Sequence, residues 1–138
     1  MTDAAADVVA LLEASRAREK AQTLFYRALA AHAAAGDDAD ATERLNDLHA
    51  DEQHHLSRLT ARLLELGHAP ADLYGVAAPA AAFAGWEEVA RAREADEVRW
   101  YEVVEGGALD GTTRATLAEI LASERHHLSD LRGKWMPA

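Results

Sequence analysis

Apolar residues return every three or four positions along four stretches of this chain, the spacing that places them on one face of an α-helix. The stretches run over roughly residues 7–35, 40–66, 86–105 and 112–132. Their ends carry the expected punctuation. Gly36, Asp37 and Asp38 part the first from the second, and Gly67 stops the second. Gly106 and Gly107 end the third, while Asp110 and Gly111 precede the fourth. Between the second and third, residues 68–85 contain Pro70, Gly75 and Pro79, which excludes one continuous helix and predicts a long connection. Residues 134–138 read as a frayed tail.

Polar residues interrupt the apolar seams at the same depth in every helix. The second helix presents Leu45, Leu48, Glu52, His55, Leu59, Leu63 and Leu66 on one face, and the fourth presents Leu117, Ile120, Glu124, His127 and Leu131. The third gives Ala90, Glu94, Glu97, Tyr101 and Val104; the first gives Val8, Leu12, Ser15, Glu19, Gln22, Tyr26 and Leu29. Two residues of an antiparallel hairpin lie level when the midpoint of their numbers falls in the turn. That midpoint is 35.5 for Glu19 and Glu52, beside Gly36, and 109 for Glu94 and Glu124, between Gly107 and Gly111.

The chain also repeats itself. Arg16-Ala17-Arg18-Glu19 with Tyr26 recurs 75 residues on as Arg91-Ala92-Arg93-Glu94 with Tyr101. Glu52-Gln53-His54-His55-Leu56-Ser57 recurs 72 residues on as Glu124-Arg125-His126-His127-Leu128-Ser129. Each half therefore reads as one helical hairpin, and two hairpins predict an all-α four-helix bundle of approximate twofold symmetry, a single domain over residues 1–138.

Five carboxylates at one level of an apolar seam repel one another by several kcal/mol even at intermediate effective dielectrics, so the pattern calls for a cation. Bundles that hold two irons or two manganese ions take one Glu from each of two helices and Glu-x-x-His from each of the other two. Glu19 and Glu94 are the single Glu here, and Glu52 with His55 and Glu124 with His127 are the pairs. One Glu-x-x-His on a helix is a weak signal. Two copies, level with two further Glu, are a strong one. The expected metal set is Glu19, Glu52, His55, Glu94, Glu97, Glu124 and His127, holding two iron ions, with manganese or zinc also compatible with such donors.

Composition narrows the chemistry further. The sequence has 138 residues, 49% of them hydrophobic, enough for one core of ordinary size. It contains no cysteine, which excludes disulfides, thiolate metal centres and thiol catalysis. A formal charge of −10 repels phosphate backbones and anionic lipid, so neither nucleic acid nor membrane is an expected partner. No basic segment followed by an apolar one opens the chain, and no apolar run reaches membrane-spanning length, so the expected location is the cytoplasm.

Across nearly its whole length the chain resembles the ferritin-like superfamily, and the Glu94-x-x-Glu97 pair makes it most similar to the di-iron domain of rubrerythrins. The resemblance implies that Glu52 and Glu124 bridge two irons, that Glu19, Glu94, Glu97, His55 and His127 are terminal, and that Glu97 is a ligand able to come and go. It implies a bundle whose second and third helices run parallel. The link between them must then travel ~35 to 40 Å, within the ~55 Å that such a connection reaches when extended. Rubrerythrins commonly carry a cysteine-based rubredoxin domain; lacking cysteine, this chain calls for a separate electron-donor protein.

The expected activity is that of a di-iron oxidoreductase in which a diferrous centre reduces hydrogen peroxide, or dioxygen, with Glu97, Tyr26 and Tyr101 as the catalytic candidates. Tyr26 and Tyr101 sit two turns from Glu19 and Glu94, placed to hydrogen-bond a ligand or supply an electron, or else to pack as amphipathic core aromatics. The alternatives are an iron-binding ferroxidase for storage or delivery and a structural bundle with a vestigial site. Gln22 reads as a hydrogen-bond partner, His54 and His126 as solvent-facing or outside the ligand shell, and Trp86, Trp100 and Trp135 as packing or subunit-interface residues. The two similar hairpins suggest a homodimer, with exchange of hairpins between copies as one route to it.

Overall fold

The computed structural model describes residues 3–131, and every regular element among them is helical: α1 (Asp3–Ala35), α2 (Ala39–Glu65), α3 (Trp86–Glu105) and α4 (Gly111–Asp130). None of the four is long and apolar enough to cross a membrane. The chain divides into two compact units, Met1–Phe83 with α1 and α2, and Ala84–Ala138 with α3 and α4. Each unit is a helical hairpin.

In the first hairpin the chain closes α1 with a Schellman motif, Asp38 N–H bonding to Ala33 C=O at 3.0 Å and Asp37 N–H to Ala34 C=O at 3.1 Å. The left-handed residue is Asp37, with φ 57°, and not the adjacent Gly36. Asp tolerates this region better than most side chains because its short polar group hydrogen-bonds locally. Asp38 then caps α2, its carboxylate accepting from Ala41 N–H at 3.1 Å. A second Schellman motif ends α2, where Gly67 at φ 79° lets His68 N–H reach Leu63 C=O at 3.0 Å. The core of this hairpin is built from Leu12, Phe25, Tyr26, Leu29 and Ala33 of α1 and Leu45, Leu48, Leu59 and Leu63 of α2, all buried.

The connection is tied back onto this hairpin at its start. Arg16 of α1, 6% exposed, donates to Thr60 Oγ1 of α2 at 2.9 Å, to Glu13 Oε2 at 2.7 Å and to the Ala71 carbonyl at 3.0 Å. Glu13 accepts the Ala71 N–H in return at 3.0 Å. One ion pair therefore holds both backbone groups of Ala71.

The second hairpin turns on Gly106 and Gly107, where Arg114 donates to the carbonyls of Glu105 and of Gly107. Those are acceptors that the end of α3 leaves open. Asp110 caps α4 doubly, accepting from Thr113 N–H at 2.8 Å and Thr113 Oγ1 at 2.7 Å. Its core includes Ala90, Val98, Tyr101 and Val104 of α3 with Leu117, Ile120 and Leu121 of α4.

Boundaries differ modestly from expectation. α1 begins at Asp3 and not near residue 7 because Ala4, Ala5 and Ala6 are the best of helix formers. Leu66, expected on the buried seam of α2, is 40% exposed, since the helix ends at Glu65 and Leu66 is already its C-cap. Residue 132, the expected end of the fourth helix, the tail over 134–138 and Trp135 lie outside the described residues.

Candidate metal centre

α1 and α2 run antiparallel from a turn centred on Gly36, which brings Glu19 level with Glu52 as the midpoint rule requires. His55 follows Glu52 by three residues, so it rises from the same face of α2. Its Nδ1 stands 3.5 Å from Glu19 Oε2 and 3.7 Å from Glu52 Oε2. Donor atoms of these three side chains all lie within 4.8 Å of one another. Glu19 and Glu52 are 0% exposed and His55 4%.

The second hairpin reproduces the arrangement. His127 Nδ1 stands 3.6 Å from Glu94 Oε1 and 3.5 Å from Glu124 Oε1, with donor atoms of all three side chains again within 4.8 Å. Glu94 and Glu124 are 0% exposed and His127 3%. The four imidazole–carboxylate separations fall at or beyond the long limit for a hydrogen bond, as suits ligands grouped around a common centre. Both triads sit under apolar turns: Leu59 and Leu63 follow His55, and Leu117 and Ile120 precede Glu124.

Electrostatics in the second triad show what these donors attract. Burial pushes the Glu94 carboxyl up to about 7, with the Glu124 charge adding to the rise and His127 opposing it. Burial by itself pulls His127 down, but Glu124 and Glu94 together outweigh it and hold the imidazole up at about 11. Two buried carboxylates thus keep a proton on their histidine. The set fits a dication on chemical grounds, since it is made only of carboxylate and imidazole, is screened from water and gathers positive charge when no ion is supplied.

Six of the seven expected ligands are thereby brought together as two triads, one per hairpin. The seventh, Glu97, is buried at 5% exposure on the same face of α3 but is not among the converging donor atoms. Gln22, its counterpart on α1, is 0% exposed. Tyr26 and Tyr101 are fully buried, and Tyr26 packs against Phe25 with ring centroids 5.3 Å apart. His54 and His126 face solvent, and His126 Nε2 pairs with Asp130 at 3.2 Å. Trp86 is buried at the start of α3. Residues that sequence reasoning missed are structural ones, Arg16 and Glu13 above all, whose joint hold on Ala71 spans more than fifty positions and leaves no periodic trace.

No family model matches the chain, and no curated protein does. Among solved structures it is similar to a dodecameric thioferritin, the bacterioferritin-related protein of Bacteroides fragilis, with a TM-score of 0.80 and 21% identity over 93% of this chain and 83% of that one. That likeness establishes the fold class as a ferritin-like four-helix bundle.

Proposed function

We propose that this chain binds two iron ions and oxidises them from the ferrous to the ferric state, a ferroxidase-type activity serving iron storage or delivery. The observation that carries the reading is the pair of matching, buried Glu/Glu/His triads. A three-donor set would occupy only part of an ion's coordination shell and leave positions open to an oxidant. Iron supplies the redox chemistry, each ferrous ion giving up one electron, so that the pair meets the demand of a two-electron oxidant. The protein supplies the rest. Its carboxylates favour the higher-charged product, its imidazoles fix the ion positions, and the surrounding Leu side chains exclude bulk water. The likeness to a bacterioferritin-related protein supports storage over other ends, and that protein's dodecameric state makes a larger assembly the natural companion of this reading.

A second reading, peroxide reduction of the rubrerythrin kind with a separate electron-donor protein, is favoured by one observation, the additional buried carboxylate of Glu97. Stopped-flow oxidation of the iron-loaded protein separates the two. Oxygen-driven turnover with growth of a ferric mineral supports the ferroxidase. Peroxide consumption many-fold faster than oxygen consumption, without mineral, supports the peroxidase. Both readings fall if elemental analysis finds no iron in protein prepared with excess ferrous ion, or finds the same iron content in the parent and in a Glu52→Ala, Glu124→Ala double variant. The expected contents are about two irons per chain and almost none.

A further inference from the structure

Away from its triad, the first hairpin holds a cavity of about 450 Å3 between α1 and the early part of the connection. Small-molecule sites commonly enclose ~300–1,000 Å3. Leu24, Leu73, Tyr74 and Val76 give the lining its apolar surface, and Arg16 and Lys20 give it two cations. Arg16 is engaged, donating to Glu13, Thr60 and the Ala71 carbonyl, so it fixes the wall. Asp72, an acid on the same lining, accepts the Tyr74 N–H at 3.3 Å. Lys20 differs from both. It is half-buried, and its ammonium has no hydrogen bond or ion pair among the described residues. Lys20, Leu24 and Arg27 follow one stripe of α1 at i, i+4 and i+7. His49 of α2 faces the same stripe: burial, then the charges of Arg27 and Lys20, hold its imidazole below the ordinary value. A chain with 24 acidic residues against 14 Lys plus Arg thus gathers three basic groups at the end of an apolar cavity and leaves the half-buried one unpaired.

We propose that this cavity binds a small organic monoanion, a carboxylate on an aromatic or alkyl body, with its head at Lys20 and its body among Leu24, Leu73 and Val76. The apolar walls favour the body through the area it removes from water. Lys20 favours the head more strongly than a fully solvated lysine does, because protein replaces part of the water around it. Arg27 and His49 add attraction from further along the stripe. Tyr74, 96% exposed, offers the face of its ring at the rim to a flat body. One unpaired lysine matches one charge, and a chain of net charge −10 disfavours a polyanion such as a nucleotide. All the residues invoked belong to the first hairpin and its connection, and the inference does not depend on the iron reading.

The test titrates the full-length chain with naphthoate and, separately, with naphthamide, which has the same ring system and no charge. Backbone amide shifts in NMR locate each probe and give its affinity. The expected result is saturable binding of one naphthoate per chain, with the shifts concentrated at Lys20, Leu24 and residues 73–76, and naphthamide bound ~10-fold more weakly. Lys20→Gln, at a half-buried position where glutamine keeps most of the stem, is expected to weaken naphthoate by the same ~10-fold and to leave naphthamide unchanged. Leu73→Ala is expected to weaken both probes. Circular dichroism checks that each variant keeps the parent's helix content, and Lys20→Arg, which restores the charge, is expected to restore naphthoate binding should Lys20→Gln unfold. The inference is overturned if naphthoate does not saturate, if its shifts lie elsewhere, or if acid and amide bind alike, which would make the cavity an apolar gap only. It is overturned as well if Lys20→Gln folds and binds naphthoate as tightly as the parent, or if the amides of 73–76 shift with protein concentration in place of probe, which would assign the cavity to an interface between copies.

Discussion

A histidine held protonated to about 11 by two buried carboxylates must lose its proton before its nitrogen can ligate a metal, and this coupling is measurable at His127. Glu94, raised to about 7, is partly protonated at neutral pH and has its own proton to surrender. Both shifts act in the same direction. Lowering the pH adds protons that compete with the ion; raising it removes them. Dication affinity is therefore expected to rise between pH 6 and pH 8, with about one to two protons released per ion bound at pH 7. Titration calorimetry of Zn2+ in two buffers of different ionisation enthalpy reads the released protons directly. Identical apparent enthalpies in the two buffers would contradict the pairing of His127 with Glu94 and Glu124. Apolar neighbours of the triads respond differently. Leu59 is fully buried one turn beyond His55, and Leu59→Ala is expected to destabilise the metal-free chain by about 2–5 kcal/mol in denaturant unfolding, chiefly through the cavity it leaves.

At the scale of the element, each hairpin is set by what happens at its turn. Asp110 satisfies both an N–H and a hydroxyl of Thr113, whereas Asp38 accepts a single longer bond from Ala41. Asp110→Ala is accordingly expected to cost about 1–2 kcal/mol in chemical unfolding and Asp38→Ala about 1 kcal/mol or less. The connection depends on one contact in the same way. Arg16→Ala removes the donor to Ala71 and to Thr60, so limited proteolysis should cut residues 68–85 several-fold faster in that variant while leaving the turns of both hairpins resistant. Equal cleavage rates in parent and variant would show that the Arg16–Glu13 pair does not hold the connection. These elements also mark what the sequence could reveal. The helices and the level of Glu19 with Glu52 follow from period and midpoint, which depend on local geometry alone. Asp37 in place of Gly36 as the left-handed residue depends on the phase at which α1 closes its last turn. The Arg16 contact depends on where a proline-containing link returns to, and Leu66 on whether its helix runs one residue further.

For the molecule as a whole, the balance is between apolar burial and the cost of gathering acidic groups in a chain of net charge −10. Glu19, Glu52, Glu94, Glu97 and Glu124 are all buried, and His55 and His127 stand beside the four carboxylates of the triads. A dication that binds the folded chain and not the unfolded one relieves that cost and stabilises by mass action, about 2.7 kcal/mol for a site at a hundredfold excess over its Kd. Thermal unfolding followed by circular dichroism should therefore show Tm rising by several degrees on adding Zn2+ to the chelator-treated protein. The Glu52→Ala, Glu124→Ala double variant has lost one carboxylate from each triad and should show almost no rise. Its metal-free Tm separates relief of repulsion from damage to packing: a value at or above the metal-free parent means the carboxylates were a burden borne for the ion, whereas a value well below it means they packed the core in their own right. If the parent's Tm does not respond to the ion at all, the triads are a structural remnant and the chain a bundle that has outlived its metal.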